Sequence, residues 1–451
     1  MNRTLPLILT AALLLTACAS AVPAQPADAT TSPDAAASSP AQPDAAASSP
    51  SQPAAETSAP PLTPKFPVGH LLTLPQNQNS GPVWNTGDAL YELRDASNMT
   101  PEALVLKTDY AALTQSVYCD IPGCTHDSDA CPAYLASDFC VGVMAVDGTV
   151  YTYPGELTNV APTQIYRIDP AAGKTPVAAV PDALPHHMQL QWCDEYALYG
   201  CPLAASHQPG TLYRWDWQND TVQTIPMLAD EKIIACEGSR FLTIRIEANE
   251  PFPNFGSTEQ EKAILAHAVY VYAWLDPATG AREKICTRPY ADGYFHNYYD
   301  GRIYYTGNFR NADTPGQQAA LLYFDTADGT EKTLLDGIPL DTYVIDVCVP
   351  FSPAFAGVPQ RYLRVLNAGD AYADCLLDME TGDVLPAPAV TAEGVRRPAL
   401  LLACTASGQW LTTANPRDSY DPQYSRYALW DPADFLADGQ PAAWVTMYAT
   451  E

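Results

Sequence analysis

A short β-branched or aromatic run ending in Asp recurs seven times along this 451-residue chain, and few folds accommodate such a repeat. The copies are Leu106-Lys107-Thr108-Asp109, Ile165-Tyr166-Arg167-Ile168-Asp169, Leu212-Tyr213-Arg214-Trp215-Asp216, Val271-Tyr272-Ala273-Trp274-Leu275-Asp276, Tyr323-Phe324-Asp325, Leu376-Leu377-Asp378 and Tyr427-Ala428-Leu429-Trp430-Asp431. Successive Asp residues stand 60, 47, 60, 49, 53 and 53 positions apart, near the roughly 40–50 residues of one four-stranded propeller blade. Gly follows four residues after the Asp at Gly173, Gly280, Gly329 and Gly382. An Asp carboxylate bonds its own turn and Gly accepts a positive φ, so each pair marks a tight strand-to-strand turn.

The fifth copy shows the whole unit. The turn Asp300-Gly301 leads into Arg302-Ile303-Tyr304-Tyr305, a loop through Pro315-Gly316 gives way to Leu321 to Asp325, and a last strand runs from Glu331 to Leu335. Earlier hairpins feed other copies at Asp147-Gly148, Asp194-Glu195, Gly238-Ser239 and Gly408-Gln409. Helical periodicity is nearly absent. A sandwich would also consist of short strands, but it would not return one marker at near-constant spacing. The expected fold is therefore all-β: a single β-propeller of seven four-stranded blades over residues 66–451.

The loops between second and third strands vary in length, running from about Glu247 to Ala266 in the fourth copy and from about Gly307 to Gln318 in the fifth. These loops and the blade-to-blade connections share one face of a propeller, whereas the Asp-to-Gly turns lie on the other. Long, variable loops on a rigid scaffold are where binding is expected.

Residues ahead of the repeats read differently. Met1-Asn2-Arg3 is a short basic start, Leu5 to Leu15 an apolar run too short to span a bilayer, and Leu15-Thr16-Ala17-Cys18 a small-residue cleavage site ending in Cys. This resembles a bacterial lipoprotein signal, which implies removal of residues 1–17, lipidation of Cys18, attachment to a lipid bilayer and an extracytoplasmic location anchored to the cell membrane. The rest of 18–65 is rich in Ala, Pro, Ser and Thr, and the octet Pro-Asp-Ala-Ala-Ala-Ser-Ser-Pro occurs at both 33–40 and 43–50. With no aromatic residue to bury, residues 19–64 are expected to be a disordered tether, spanning about 35–40 Å r.m.s. as a flexible coil.

The charge balance, 51 acidic against 23 basic residues and a net charge of −28, excludes nucleic acid as a natural partner, because phosphate binding needs clustered Lys and Arg. It reads as a solubility device and suits a monomer. The 26 tyrosines fit β-sheets and equally fit stacking on a carbohydrate or peptide.

The densest chemistry lies between the first and second repeats, in Cys119-Asp120-Ile121-Pro122-Gly123-Cys124-Thr125-His126-Asp127-Ser128-Asp129-Ala130-Cys131. Cys119, Cys124, His126 and Cys131 have the number and type of donors for a tetrahedral structural zinc, although the spacing is not that of a standard finger or knuckle. Disulfides are the alternative in an exported protein, with Cys140 available as a fourth thiol. Cys193, Cys236 and Cys404 precede first hairpin turns in different repeats; thiols so placed cannot all pair, so some stay free. The run from Val117 to Tyr134 is similar to the Cys-x-x-Pro-x-Cys-x-His segment of predicted propeller lipoproteins of anaerobic bacteria. That resemblance implies an extracytoplasmic propeller and brings no catalytic residue with it.

No Gly-x-Ser-x-Gly elbow, His-Glu-x-x-His, phosphate loop or dinucleotide fingerprint occurs, and no catalytic residue is assigned. The expected function is a binding or scaffolding module holding an unidentified ligand or protein on the long-loop face. The alternative is a glycan-active hydrolase or lyase whose acids converge from several blades on the central channel. Two carboxylates about 5–10 Å apart in a funnel, one of them desolvated, would favour the enzyme.

Overall fold

The computed structural model describes residues 63–74, 83–95, 102–136, 141–157, 163–202, 207–252, 258–290, 293–307, 318–339, 343–344, 361–367, 375–386, 389–392, 395–414, 426–437 and 439–448. Residues 61–451 form one compact unit. Cys18, Cys140 and the tether lie outside the described residues, as does part or all of every second-to-third-strand loop.

Each repeat closes on itself as an antiparallel meander. Six unbroken sheets are built from residues 83–117, 141–179, 188–229, 232–289, 293–339 and 400–444, and their strands pair in chain order. The sheets pack against one another in sequence. One apolar cluster joins the first, second and third through Trp84, Leu104, Val143, Ile165, Met188 and Trp215. Others join third to fourth through Tyr199 and Phe241, fourth to fifth through Tyr272 and Tyr305, and fifth to the 343–386 region through Tyr304 and Leu377. A last cluster brings Tyr362 and Leu376 onto Trp410 and Trp430 of the final sheet, and those onto Val83 and Leu90 of the first. The core is thus a ring of sheet-to-sheet contacts, and the fold is a β-propeller.

The expectation of seven four-stranded blades is corrected. In the region 343–386, Tyr362 to Val365 pair with Cys375–Asp378, whereas Leu366 and Asn367 pair with Val344 and Tyr343. The two ladders share no residue, so among the described residues six blades are unbroken and this region, though its strands keep the same order, is not.

The Asp markers form their turns by the expected chemistry. Asp109 Oδ1 accepts the Ala111 and Ala112 amides at 3.1 and 3.0 Å, and Asp169 Oδ1 accepts those of Ala171 and Ala172 at 3.0 and 3.2 Å. Asp276, Asp325 and Asp378 repeat this with Ala278, Ala327 and Glu380. Gly280, Gly329 and Gly382 stand at φ of 75°, 70° and 79°. The seventh marker departs: Asp431 precedes Pro432 and opens the short helix Pro432–Leu436, since Pro fits a first helical turn but donates nothing to a hairpin. A second helix, Thr258–Leu265, occupies the long connection of the fourth repeat.

A feature without a sequence signal also repeats. The first strand carries a register shift between Leu190 and Trp192, Ile233 and Ala235, Phe295 and Asn297, and Leu401 and Ala403. One extra residue at the same place in four sheets increases strand twist. Cys193, Cys236 and Cys404, all free thiols, stand two residues beyond the extra residue in three of them.

Two segments lock the ring. Beyond Ala443–Trp444 the chain reaches the first sheet, where Thr446 makes a parallel bridge to Thr114; the Gln115 amide donates to Thr446 O and the Thr446 amide to Leu113 O, both at 2.8 Å. At the other end, residues 63–74 form a strap. They do not begin the first blade: Leu72 and Thr73 pair with Cys193 and Trp192 of the third, and the Leu71 amide donates to Gly238 O of the fourth at 2.7 Å. A Cβ at Gly69 would meet Glu195 Oε2 at 1.6 Å, so any larger residue would displace the carboxylate oxygen that accepts the His70 amide at 2.8 Å.

Candidate metal centre at the first blade

Strand Thr114–Val117 is the edge of the first sheet, paired with Leu106–Asp109. Beyond Val117 the chain leaves that edge and returns to it as Tyr134–Leu135, which pair with Leu104 and Ala103 of the same neighbouring strand. Both ends of the Cys loop are therefore fixed on one sheet edge. The Tyr118 amide donates to Val105 O at 2.8 Å, and the Val105 amide to Ala133 O at 2.9 Å. Tyr118 packs edge-on against Tyr91 with ring centroids 5.2 Å apart.

Inside the loop the backbone folds back on itself. The Cys124 amide donates to Ile121 O at 3.2 Å and the Cys131 amide to Ser128 O at 2.9 Å. Gly123 and His126 adopt left-handed conformations with φ of 73° and 60°. For Gly this is free, whereas for His it costs about 1–2 kcal/mol and marks a residue held by its surroundings. The outcome is convergence. The donor atoms of Cys119, Cys124, His126 and Cys131 all lie within 4.8 Å of one another, with His126 Nδ1 3.3 Å from Cys131 Sγ. Around one tetrahedral zinc, neighbouring sulfurs stand about 3.8 Å apart, so the four donors would need only a modest contraction. All four candidate ligands are brought together, and the three thiols are free in this structure.

The thiols differ in environment. Cys131 is buried and its thiol is pushed up to about 12 by that burial, and burial also raises Cys119. Cys124 is lowered, chiefly by the backbone N–H of His126. A metal would displace the remaining protons on binding.

The loop lies along the outer rim, not on the long-loop face as the sequence suggested. The Asp120 amide donates to Pro170 O at 2.8 Å, and Pro170 belongs to the Asp169–Gly173 turn of the second blade. Lys174 of that blade donates to Asp129 Oδ1 at 3.0 Å and also to the Tyr134 carbonyl. A lone Lys after a turn Gly carries no sequence signal for such a contact.

Other histidines lie apart from this site: His186 and His187 are exposed between the second and third sheets, and His296 is the extra residue of the first-strand bulge in the fifth sheet. A desolvated carboxylate does exist. Glu92 is 3 % exposed, and burial raises its carboxyl above the ordinary range despite Arg94 and Tyr427 beside it. It is sealed in the seam between last and first blades: Tyr427 donates to Oε2 at 2.7 Å and Arg94 to Oε1 at 3.3 Å. A cavity of about 200 Å³, lined by Phe66, Ile225, Pro226, Pro277 and Arg282 among others, is smaller than the roughly 300–1,000 Å³ of usual ligand pockets. Among the described residues, no helix is long and apolar enough to cross a membrane.

No protein-family model matches the chain. No curated protein matches it either. Among solved structures it is similar to a puromycin hydrolase S511A mutant complexed with PGG, with 13 % identity and a TM-score of 0.42 over 82 % of this chain and 54 % of that one. The chain thus spans about half the length of that protein. The β-propeller domain of the Trilobed protease from Pyrococcus furiosus, described as having an open velcro topology, is similar at 9 % identity and TM-score 0.42, covering 80 % of this chain and 96 % of that one. An oligogalacturonate lyase in complex with manganese is similar at 11 % identity and TM-score 0.37, covering 83 % and 85 %. The assignment of this chain as a propeller rests on its own strand pairing and ring of clusters.

Proposed function

We propose that this protein is an extracytoplasmic β-propeller, tethered to a membrane through lipidated Cys18, that displays its long-loop face as a binding or scaffolding module. The observation that carries the reading is the strap. The first packed residues after the tether are sewn across two central blades: the Lys65 amide donates to Ala278 O at 3.0 Å, the Gly69 amide to Asp194 Oδ2 at 3.1 Å and Arg214 to Pro67 O at 3.2 Å. Pull on the tether then loads packed sheets and not a free edge strand. The net charge of −28 repels an anionic lipid surface, and a long tether lets the domain stand off from it.

Within that reading the Cys3His cluster takes zinc as a structural staple. Three thiolates and one imidazole suit a borderline-soft cation and fill its four positions, which leaves none open for water or substrate. Metal analysis of protein purified without chelator, with thiol counting under denaturing conditions, is expected to give one zinc and no disulfide among these residues.

The functional reading is tested by incubating purified protein with cell-envelope polysaccharides and peptides. Retention of a ligand without release of new reducing ends supports a binding module. Turnover of a glycan would replace it with the enzyme reading.

A further inference from the structure

We propose that metal binding at Cys119, Cys124, His126 and Cys131 clamps the first blade to the second, with Lys174 as the positioning residue that grips the loaded loop. The inference rests on the zinc reading above. It follows from where the contacts fall relative to the ligands. Asp120, next to Cys119, donates its amide to Pro170 O at 2.8 Å. Asp129, two residues before Cys131, accepts Lys174 at 3.0 Å. One grip therefore adjoins the first ligand and the other lies close to the last, and both reach the same turn of the second blade.

Burial holds this loop only through its cysteines: Cys131 is buried in the apolar cluster, with Cys119 and Cys124 packed against it. Within 119–131 it offers few apolar side chains, and Asp129 is 78 % exposed although the Lys174 side chain is only 13 % exposed. A largely buried ammonium gains from a carboxylate only if the carboxylate is held in place. A metal bound by Cys119 and Cys131 holds the two ends of the loop together and so fixes both Asp120 and Asp129. Three thiolates, one neutral imidazole and a divalent zinc carry a net charge of −1, and Asp120, Asp127 and Asp129 add to it locally; Lys174 supplies the opposing charge from the neighbouring blade. The apolar cluster that joins the two blades contains Cys131 and has Cys119 and Cys124 packed against it, but most of its members, Leu104, Leu106, Val143 and Ile165 among them, are strand residues and not ligands. Loss of zinc is therefore expected to loosen the rim of this junction and leave the ring intact.

The test uses the full chain carrying Cys18→Ala, so that it is handled without lipid, and follows amide exchange with and without zinc. Removing zinc by chelation should speed exchange at the Asp120 amide and across 171–174 by about tenfold or more, while strand Val269–Leu275 of the fourth blade keeps its protection. Lys174→Met should retain one zinc yet show faster exchange at 171–174 in the loaded state. If zinc binds in stoichiometric amount but chelation leaves Asp120 and 171–174 unchanged, the clamp is overturned and the zinc reading stands. If no zinc binds, the zinc reading falls and the clamp falls with it.

Discussion

Glu92 shows how one side chain can set the response of the molecule to pH. Its folded carboxyl titrates above the ordinary range because burial disfavours the charged form, so between the unfolded and folded values the native state binds more protons than the unfolded chain. Stability from this group is then complete below the ordinary carboxylate pKa and is lost as pH rises through the folded value. Glu92→Gln, which cannot titrate, should flatten the dependence of urea midpoints on pH in that window; an unchanged slope would assign it to other groups. Glu92→Ala removes a partner from a buried Arg94 and should cost about 3–5 kcal/mol. Cys124 is a contrasting case, since it is reached from solvent and, in the proposed reading, serves as a ligand. Cys124→Ser should lower the thermal midpoint by a few degrees and lose zinc, with no effect on ligand retention at the long-loop face. The four candidate donors were legible in the sequence because donor type and count survive as letters. Their convergence was not, because it depends on left-handed backbone at Gly123 and His126 and on a loop whose ends return to one strand.

Single elements carry meaning that the repeat pattern did not announce. The strap was readable only as the point where low-complexity sequence ends near Phe66, and its docking on the third and fourth blades depends on residues more than a hundred positions away. Arg214 is central to that docking. It is 1 % exposed, donates to Tyr199 Oη at 3.2 Å and to Gln223 Oε1 at 2.9 Å, and stacks over Phe66 at 4.6 Å. Arg214→Met should cost about 3 kcal/mol and expose the Lys65–Phe66 bond to trypsin at rates where the parent protein resists. Equal cleavage in both would mean that the strap does not rely on this residue. The first-strand bulges were equally hidden, because an extra residue in a strand leaves the hydrophobic alternation disturbed by a single position. The region 343–386 shows the opposite case, since its marker Asp378 is intact while its second strand pairs in two separate ladders.

At the scale of the whole molecule, the last blade meets the first. The seam between last and first blades is polar as well as apolar: Tyr427 reaches Glu92, Asn85 Nδ2 donates to Cys404 O at 2.7 Å, and Arg94 donates to Tyr448 O at 3.2 Å. Tyr427→Phe removes one bond of this network and should lower unfolding free energy by about 1–2 kcal/mol, read as a shift in denaturant midpoint with no change in slope. A lower slope would indicate that the ring opens before it unfolds. Anchoring is a separate property of the full chain. Cys18→Ala should move the protein from the membrane to the soluble fraction, or leave it unprocessed, and abolish incorporation of an alkyne-tagged fatty acid; unchanged detergent partitioning would refute lipidation.

Local chemistry is written in the chain, and the sequence alone therefore determined the repeat, its turns and the all-β class: an Asp bonding its own turn, or a Gly at positive φ, needs no distant partner. Tertiary structure decided how many blades are unbroken, where the strap docks, that Glu92 is sealed in a seam, and that the Cys loop lies on the rim against Lys174. Each of these depends on which surfaces meet when the sheets pack in a ring. Burial and partner choice are set by residues far apart in sequence, and no local pattern encodes them.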